Sequence, residues 1–286
     1  MSSYAGIVGH PLAHSLSPAF QAAAFHELQL DVTYELWDTP PESLPWRLSS
    51  FREPSCLGVN ITIPHKEAVR TLLDEIDEEA ARTGAVNTIV NRDGRLVGFN
   101  TDGRGFISSL RREREFEPTG RSFLVLGAGG AARGISFALA AADARMVAVT
   151  NRTEVRARRL VQDLGRVADS SRVRVVGAGQ ALDEFDCVIN CTSVGMQGGE
   201  VPAGIPCDVG AIRDGALVVD IVYVPEDTPL IRSAKVRGNP TLGGLPMLVH
   251  QGALSFELWT GQSAPFAVMM DCARAALSTR SADAPG

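Results

Sequence analysis

Lys66 follows Pro64 at the end of Asn60-Ile61-Thr62-Ile63, a short run in which polar and apolar residues alternate. On a strand, Asn60 and Thr62 share one face while Ile61 and Ile63 share the other. Pro64 closes that strand, which predicts a helix over about 65–73 with Lys66 in its first turn. A cation there opposes the helix dipole, which favours release of its proton. Such an amine could act as a general acid or base. It could equally be an exposed lysine that tolerates a small penalty.

Asp102 stands in Asn100-Thr101-Asp102-Gly103, and Asn87 in Ala85-Val86-Asn87-Thr88. Both segments put amide or carboxylate groups beside predicted strand ends, which in open α/β sheets face the ligand crevice. Taken alone, Asp102 also reads as the cap of the next helix. His14-Ser15-Leu16-Ser17-Pro18 opens an apolar-periodic helix. Pro18 suits the first helical position, which makes Ser17 the N-cap. Two hydroxyls at this spacing beside unpaired amides form a receptor for a carboxylate, and capping alone explains them equally well.

Gly127-x-Gly129-x-x-Ala132 runs out of the apolar segment Ser122–Leu126. Gly127 makes the tight turn, Gly129 lets backbone approach a pyrophosphate, and the amides of the following helix receive its charge. The end of the next strand discriminates between nicotinamide cofactors. An NAD site places a carboxylate there for the ribose 2'-hydroxyl. Here the residues are Asn151-Arg152-Thr153, followed by Arg156, Arg158 and Arg159. A carboxylate would repel a 2'-phosphate, whereas a guanidinium binds one through paired charge-assisted bonds. Arg152 is therefore assigned to the phosphate, Arg158 and Arg159 to a solvated helix face, and the cofactor to NADP.

Strand-like and helix-like apolar periods alternate along the chain, the pattern of an α/β fold. Strands are predicted over 4–8, 32–37, 57–63, 86–90 and 95–99, then 122–126, 145–150, 172–176, 187–190 and 217–220. Helices are predicted over 18–28, 41–50, 65–73, 78–82 and 105–115, with two more near 247–258 and 265–277. A length of 286 residues favours two domains. The prediction is an N-terminal α/β substrate domain, residues 1–104 completed by 245–286 as C-terminal helices packing back on it, and a Rossmann-like doubly wound NADP-binding domain, 105–244. The tail 278–286 reads as frayed.

With 45% hydrophobic and 21% charged residues, the chain has material for a substantial core. Its net charge of -6 offers no footprint for nucleic acid or an anionic membrane. No secretory signal or spanning segment is expected. Cys56, Cys187, Cys191, Cys207 and Cys272 are odd in number and irregular in spacing, so they predict reduced, mostly buried thiols in a cytoplasmic protein, with no metal site.

In their order, these segments resemble the shikimate dehydrogenase family over nearly the whole chain. The resemblance rests on His14-Ser-Leu-Ser-Pro18, Asn60-x-Thr62-x-Pro64-x-Lys66, Ala85-Val86-Asn87-Thr88, Asn100-Thr101-Asp102-Gly103 and Gly127-Ala-Gly-Gly-Ala131. It continues through Asn151-Arg152-Thr153, Asn190-Cys-Thr-Ser-Val-Gly-Met196, Asp220-Ile-Val-Tyr223-x-Pro225 and Gly244-x-x-Met247-Leu-x-x-Gln251. One departure is Gln21-Ala22, where the family often has His-Asn; altered packing is expected there before altered chemistry.

The resemblance implies reversible, NADP-dependent reduction of 3-dehydroshikimate to shikimate by a monomer or homodimer. Lys66 would transfer the proton, with Asp102 beside it. Ser15 and Ser17 would hold the substrate carboxylate with Tyr223 nearby, and Thr62, Asn87, Asp102 and Gln251 the ring hydroxyls. Gly127, Ala128, Gly129, Gly130 and Ala131 would cradle the pyrophosphate. Asn151, Arg152, Thr153 and Arg156 would hold the 2'-phosphate, and Gly244 and Met247 would line the nicotinamide side. The rivals are a relative acting on quinate or an amino-substituted shikimate, a non-catalytic NADP sensor, and another lysine-dependent NADP enzyme such as a folate-type dehydrogenase.

Overall fold

The computed structural model describes residues 3–12, 15–177 and 180–282. His14 and residues 283–286 of the tail lie outside the described residues. The chain forms two compact units, Met1–Gly105 with Val249–Gly286, and Phe106–Leu248.

The first unit contains, in chain order, β1 (Ser3–Gly9), α1 (Ser17–Glu27), β2 (Val32–Asp38), α2 (Leu44–Ser49), β3 (Cys56–Ile61) and β4 (Glu75–Ile76). α3 (Glu78–Thr83), β5 (Thr88–Arg92), β6 (Arg95–Phe99) and the start of α4 (Asp102–Arg114) follow. Its mixed sheet has the order β2-β1-β3-β5-β6-β4. β5 and β6 form a hairpin whose two-residue loop is Asp93-Gly94, both at positive φ (53° and 85°). Asp-Gly adopts this turn readily and matches the twist of the strands. The hairpin sets Thr88 opposite Phe99, and so brings the Asn87 end of one strand beside the Asn100–Asp102 end of the other.

The second unit contains the rest of α4, then β7 (Ser122–Leu126), α5 (Gly130–Ala141), β8 (Met146–Thr150), α6 (Glu154–Leu164) and β9 (Val173–Val175). β10 (Cys187–Asn190), β11 (Leu217–Asp220), α7 (Pro229–Val236), β12 (Thr241–Leu242) and the first residues of α8 (Leu245–Thr260) complete it. Its sheet, ordered β12-β11-β10-β7-β8-β9, is parallel throughout. The chain winds one way from β7 through β8 and β9, then the other way through β10, β11 and β12. That doubly wound order puts the crevice at the C-terminal ends of β7 and β10. β7, β10 and β11 are buried at every residue, as parallel strands covered on both faces must be.

The rest of α8 and α9 (Phe266–Ala282) return to the first unit, where α9 packs on α1. Phe20, Phe25 and Phe256 are fully buried there, each contributing roughly 2–3 kcal/mol of apolar burial. Among the described residues no helix is long and apolar enough to cross a membrane. Cys56 and Cys187 are buried, whereas Cys191, Cys207 and Cys272 are only partly so. This corrects the expectation that most are buried: the last three lie in loops or on the outer helix α9.

Candidate active site

In the first unit, Lys66 Nζ donates to Asp102 Oδ2 at 2.6 Å. The pair spans two elements, and neither is built as its local sequence implies. The strand ends at Ile61, Thr62 leaves it, and Ile63 is 64% exposed, so the apolar face expected for Ile61 and Ile63 does not form. Residues 63–67 turn, and the helix predicted over 65–73 is a 3-10 helix restricted to Ala68–Leu72. No α-helix starts at Lys66, so the expected helix dipole does not act on it.

What fixes Lys66 is bonding to neighbouring segments. Its carbonyl accepts from Val86 N at 2.8 Å, and His65 N donates to Thr62 O at 2.9 Å. The buried His65 ring donates from Nε2 to Thr39 O at 2.7 Å. Thr62 N donates to Val8 O. The turn is therefore pinned to β1, to the end of β2 and to the segment before β5.

Asp102 is the first residue of α4 and is 3% exposed. It does not act as a cap. The capping bond comes from Asn100, whose Oδ1 accepts from Asp102 N at 3.0 Å. The Asp102 carboxylate is used on both oxygens: Oδ2 takes the Lys66 ammonium, and Oδ1 accepts from Asn87 Nδ2 at 2.9 Å. Asn87 Nδ2 also donates to Thr101 Oγ1 at 2.8 Å and Gln251 Oε1 at 3.1 Å, while Asn87 Oδ1 accepts from Thr101 N at 2.8 Å. Four predicted site residues, Lys66, Asp102, Asn87 and Gln251, thus form one hydrogen-bonded cluster.

Ser15 and Ser17 are buried at 9% and 3% exposure. Ser17 is the first residue of α1 rather than its N-cap, because Leu16 occupies that position and makes no side-chain cap. Ser17 N donates to Ser15 Oγ at 3.3 Å. The Ser17 hydroxyl lies close enough to the Tyr34 phenol to favour its ionised form, against the burial that pushes the phenol up. Tyr34 in turn donates to Asn60 Oδ1 at 2.8 Å. Asn60 Nδ2 donates to Ser255 Oγ at 2.9 Å, and Ser255 lies 2.7 Å from Thr88 Oγ1. A chain of polar contacts therefore runs from the serine pair to the Lys66 cluster.

The remaining predicted residues lie in the second unit. Gly127 has φ +114°, and a Cβ there would stand 3.1 Å from Cys191 O, so this turn requires glycine. A Cβ on Gly129 would meet no protein atom within 4 Å. Gly130 opens α5, whose N-terminus has no side-chain cap, and Ala128 and Ala131 flank it. Free amides, a glycine facing open space and the C-terminal end of a central parallel strand fit a dinucleotide pyrophosphate.

Asn151, Arg152 and Thr153 follow β8. Asn151 Nδ2 donates to Thr153 O at 2.9 Å, and Arg156 N to Thr153 O at 3.0 Å. The Arg152 side chain is 89% exposed and 3.8 Å from Glu200, so it can turn to a phosphate at little cost. Arg158 pairs with Glu154 one helical turn away, a solvated face as expected. Tyr223 and Gly244 line one cavity of about 220 Å³ with Glu113, Arg114 and Lys235. A Cβ on Gly244 would lie 2.2 Å from Ile221 O, so packing alone demands this glycine. Met247 is 7% exposed within the second unit's hydrophobic core.

Residues 7–89 match the family described as shikimate dehydrogenase substrate binding domain. Residues 111–197 match shikimate / quinate 5-dehydrogenase, and 244–271 the shikimate 5'-dehydrogenase C-terminal domain. A shikimate dehydrogenase (NADP(+)) of Symbiobacterium thermophilum is 45% identical over 95% of this chain and 94% of its own length. The chain belongs to the shikimate dehydrogenase family. A second such relative, from Methanopyrus kandleri, is 43% identical over 93% of both chains. The crystal structure of a Thermus thermophilus shikimate 5-dehydrogenase in complex with NADP(H) and shikimate superposes with a TM-score of 0.87. It is 42% identical, with 96% of this chain and 100% of that one covered.

Within this shikimate dehydrogenase fold, several polar residues of the cluster escaped the sequence reading. Thr88 and Thr101 lie inside the family-like motifs, where no role was expected of them. Ser255 was missed although its position four residues after Gln251 puts it on the same face of α8. Gln21, the departure from the family pattern, is fully buried on α1, and its Nε2 donates to Gly252 O at 2.9 Å.

Proposed function

We propose that this chain is an NADP-dependent shikimate dehydrogenase that interconverts 3-dehydroshikimate and shikimate in the cytoplasm, in the pathway to chorismate and the aromatic amino acids, as a monomer or homodimer. The observation that carries this reading is the Lys66–Asp102 pair at 2.6 Å, its carboxylate buried and its lysine partly exposed, with Asn87 holding the second carboxylate oxygen. We assign substrate binding to residues 1–104 with 245–286, and NADP binding to 105–244.

When bound, NADPH supplies hydride to the ketone carbon of the ring. The electron pair displaced from the carbonyl collects on oxygen, which takes a proton from Lys66 Nζ. The neutral amine then regains a proton from solvent. Asp102 occupies one of the three ammonium donors and leaves the others for the substrate oxygen. An ammonium held at that point stabilises developing alkoxide more than ground-state ketone. Asp102 also orients the lysine, and the two act as one acid–base unit. Ser15 and Ser17 receive the substrate carboxylate, with Tyr223 contributing, and Thr62, Asn87, Asp102 and Gln251 bind ring hydroxyls. Gly127, Ala128, Gly129, Gly130 and Ala131 hold the pyrophosphate. Asn151, Arg152, Thr153 and Arg156 hold the 2'-phosphate, and Gly244 and Met247 line the nicotinamide side.

Steady-state assays of shikimate and quinate, each with NADP and NAD, test the reading directly. Shikimate with NADP should be the best pair. Faster turnover of quinate with NAD would move the chain to the quinate branch, and NADP binding without turnover would make it a sensor. Lys66→Ala should lower kcat by roughly 10²–10⁴-fold while substrate still binds. Near-normal turnover in that variant would overturn the mechanism.

A further inference from the structure

Asp220 ends β11 directly opposite Asn190, the end of β10. Both side chains are fully buried. Asp220 Oδ1 accepts from Asn190 Nδ2 at 2.9 Å and from Val222 N at 3.0 Å. Its Oδ2 accepts from Thr228 Oγ1 at 2.7 Å. All three donors are neutral. A carboxylate buried among neutral groups costs more than an amide or an apolar side chain of the same size, so the fold alone does not account for it.

The donors share a location. Asn190 opens the loop 191–197, and its Oδ1 accepts from Thr192 N at 3.0 Å and Thr192 Oγ1 at 2.7 Å. Its Nδ2 also reaches Val194 O at 3.1 Å. Val222 immediately precedes Tyr223. Thr228 closes the loop after β11 and caps α7 through Ile231 N at 3.2 Å. Gln197 N donates to Val224 O at 2.8 Å and ties the two loops together. These loops leave the C-terminal ends of adjacent parallel strands, where ligands bind in this architecture.

We propose that Asp220 is a positioning residue of the reaction, its carboxylate fixing the turn that presents Tyr223 and, through Asn190, the loop 191–197. The kinetic part rests on the assignment of Tyr223 to the substrate carboxylate. Asp220→Asn keeps the shape but reverses the Thr228 contact: an amide N–H then faces the hydroxyl oxygen, and the hydroxyl hydrogen loses its acceptor.

Two measurements on the full-length protein decide it. Amide hydrogen exchange in Asp220→Asn should rise about tenfold or more in 191–197 and 221–227, with the core strands exchanging no faster than in wild type. Unchanged exchange in both loops overturns the proposal whatever the substrate is. In kinetics, Asp220→Asn and Tyr223→Phe should each raise KM for shikimate by about 5- to 20-fold with kcat within about twofold, and the double variant should be no worse than either alone. Additive effects overturn the link to Tyr223. A wild-type protein without shikimate turnover counts against the assigned function instead, and the exchange result still judges Asp220.

Discussion

Replacing Asp220 by asparagine should make the protein more stable at neutral pH, an unusual outcome for a change in a fully bonded core residue. Burial raises the Asp220 carboxyl from 3.8 to about 6, with Thr228, Val222 and Asn190 only partly opposing the rise. The folded state therefore holds this proton more tightly than the unfolded chain does. Below pH 3.8 both states are protonated and the side chain carries no charge penalty. Between 3.8 and about 6 the folded state binds more protons, so stability falls as pH rises. Above about 6 the whole cost is present, about 3 kcal/mol from the difference between the two values.

Asparagine removes that charge but leaves the Thr228 hydroxyl hydrogen without its carboxylate acceptor, at about 1 kcal/mol. The variant should gain about 1–2 kcal/mol over wild type near pH 8 and fall about 0.5 kcal/mol below it near pH 4. Other carboxylates titrate equally in both proteins and cancel in the comparison. Trp37, Trp46 and Trp259 all lie in the first unit, so tryptophan fluorescence follows the wrong half of the molecule. Urea unfolding monitored by far-ultraviolet circular dichroism at both pH values is the suitable assay. Parallel pH profiles for the two proteins would refute the reasoning, since they would mean that Asp220 titrates alike in the folded and unfolded states.

Four further outcomes are expected. Asp102→Asn keeps an acceptor for Asn87 but removes the anionic partner of Lys66, so kcat should fall by about 10²-fold or more with a smaller change in KM, read by steady-state kinetics. Arg152→Ala should raise KM for NADP by about 10- to 100-fold and leave NAD kinetics nearly unchanged, because the lost interaction is with the 2'-phosphate alone. Gly244→Ala forces a Cβ to within 2.2 Å of the Ile221 carbonyl, where only backbone can move; a loss of about 3 kcal/mol should appear as a lower thermal midpoint. Ser255→Ala leaves Asn60 Nδ2 and Thr88 Oγ1 without their shared partner, and should cost about 1–3 kcal/mol in denaturant unfolding.

How much of this was legible depended on where the bonding of each segment lies. β6, β7, β10 and β11 match the sequence reading at both ends because each is a short apolar run bounded by polar or turn residues. β4 and β12 have two residues each, too short to show any period. The helix read over 41–50 is broken into a 3-10 turn at Pro41–Ser43 and α2. Pro45 cannot sit inside a longer helix, and α2 places it in the first turn. The strand read over 86–90 is displaced to Thr88–Arg92, and Val86 N bonds away from the sheet, to Lys66 O.

The same outward bonding explains why Lys66 and Asp102 could not be understood one at a time. A helix after Pro64 was a fair inference from apolar spacing, yet the carbonyl of Lys66 is taken by Val86, so it does not serve as a helical acceptor. Asp102 resembled a cap because a carboxylate at a helix start usually is one. Asn100 performs that task two residues earlier and frees the Asp102 oxygens. What brings them together is the Asp93-Gly94 hairpin, which aligns the Asn87 and Asp102 segments, and the bond from Val86 that draws the Lys66 turn alongside. The lysine is thus poised by a carboxylate and by fixed backbone contacts, not by a dipole. A side chain as remote in sequence as Gln251 joins the hydrogen-bonded cluster around the pair for the same reason, because it shares Asn87 with Asp102.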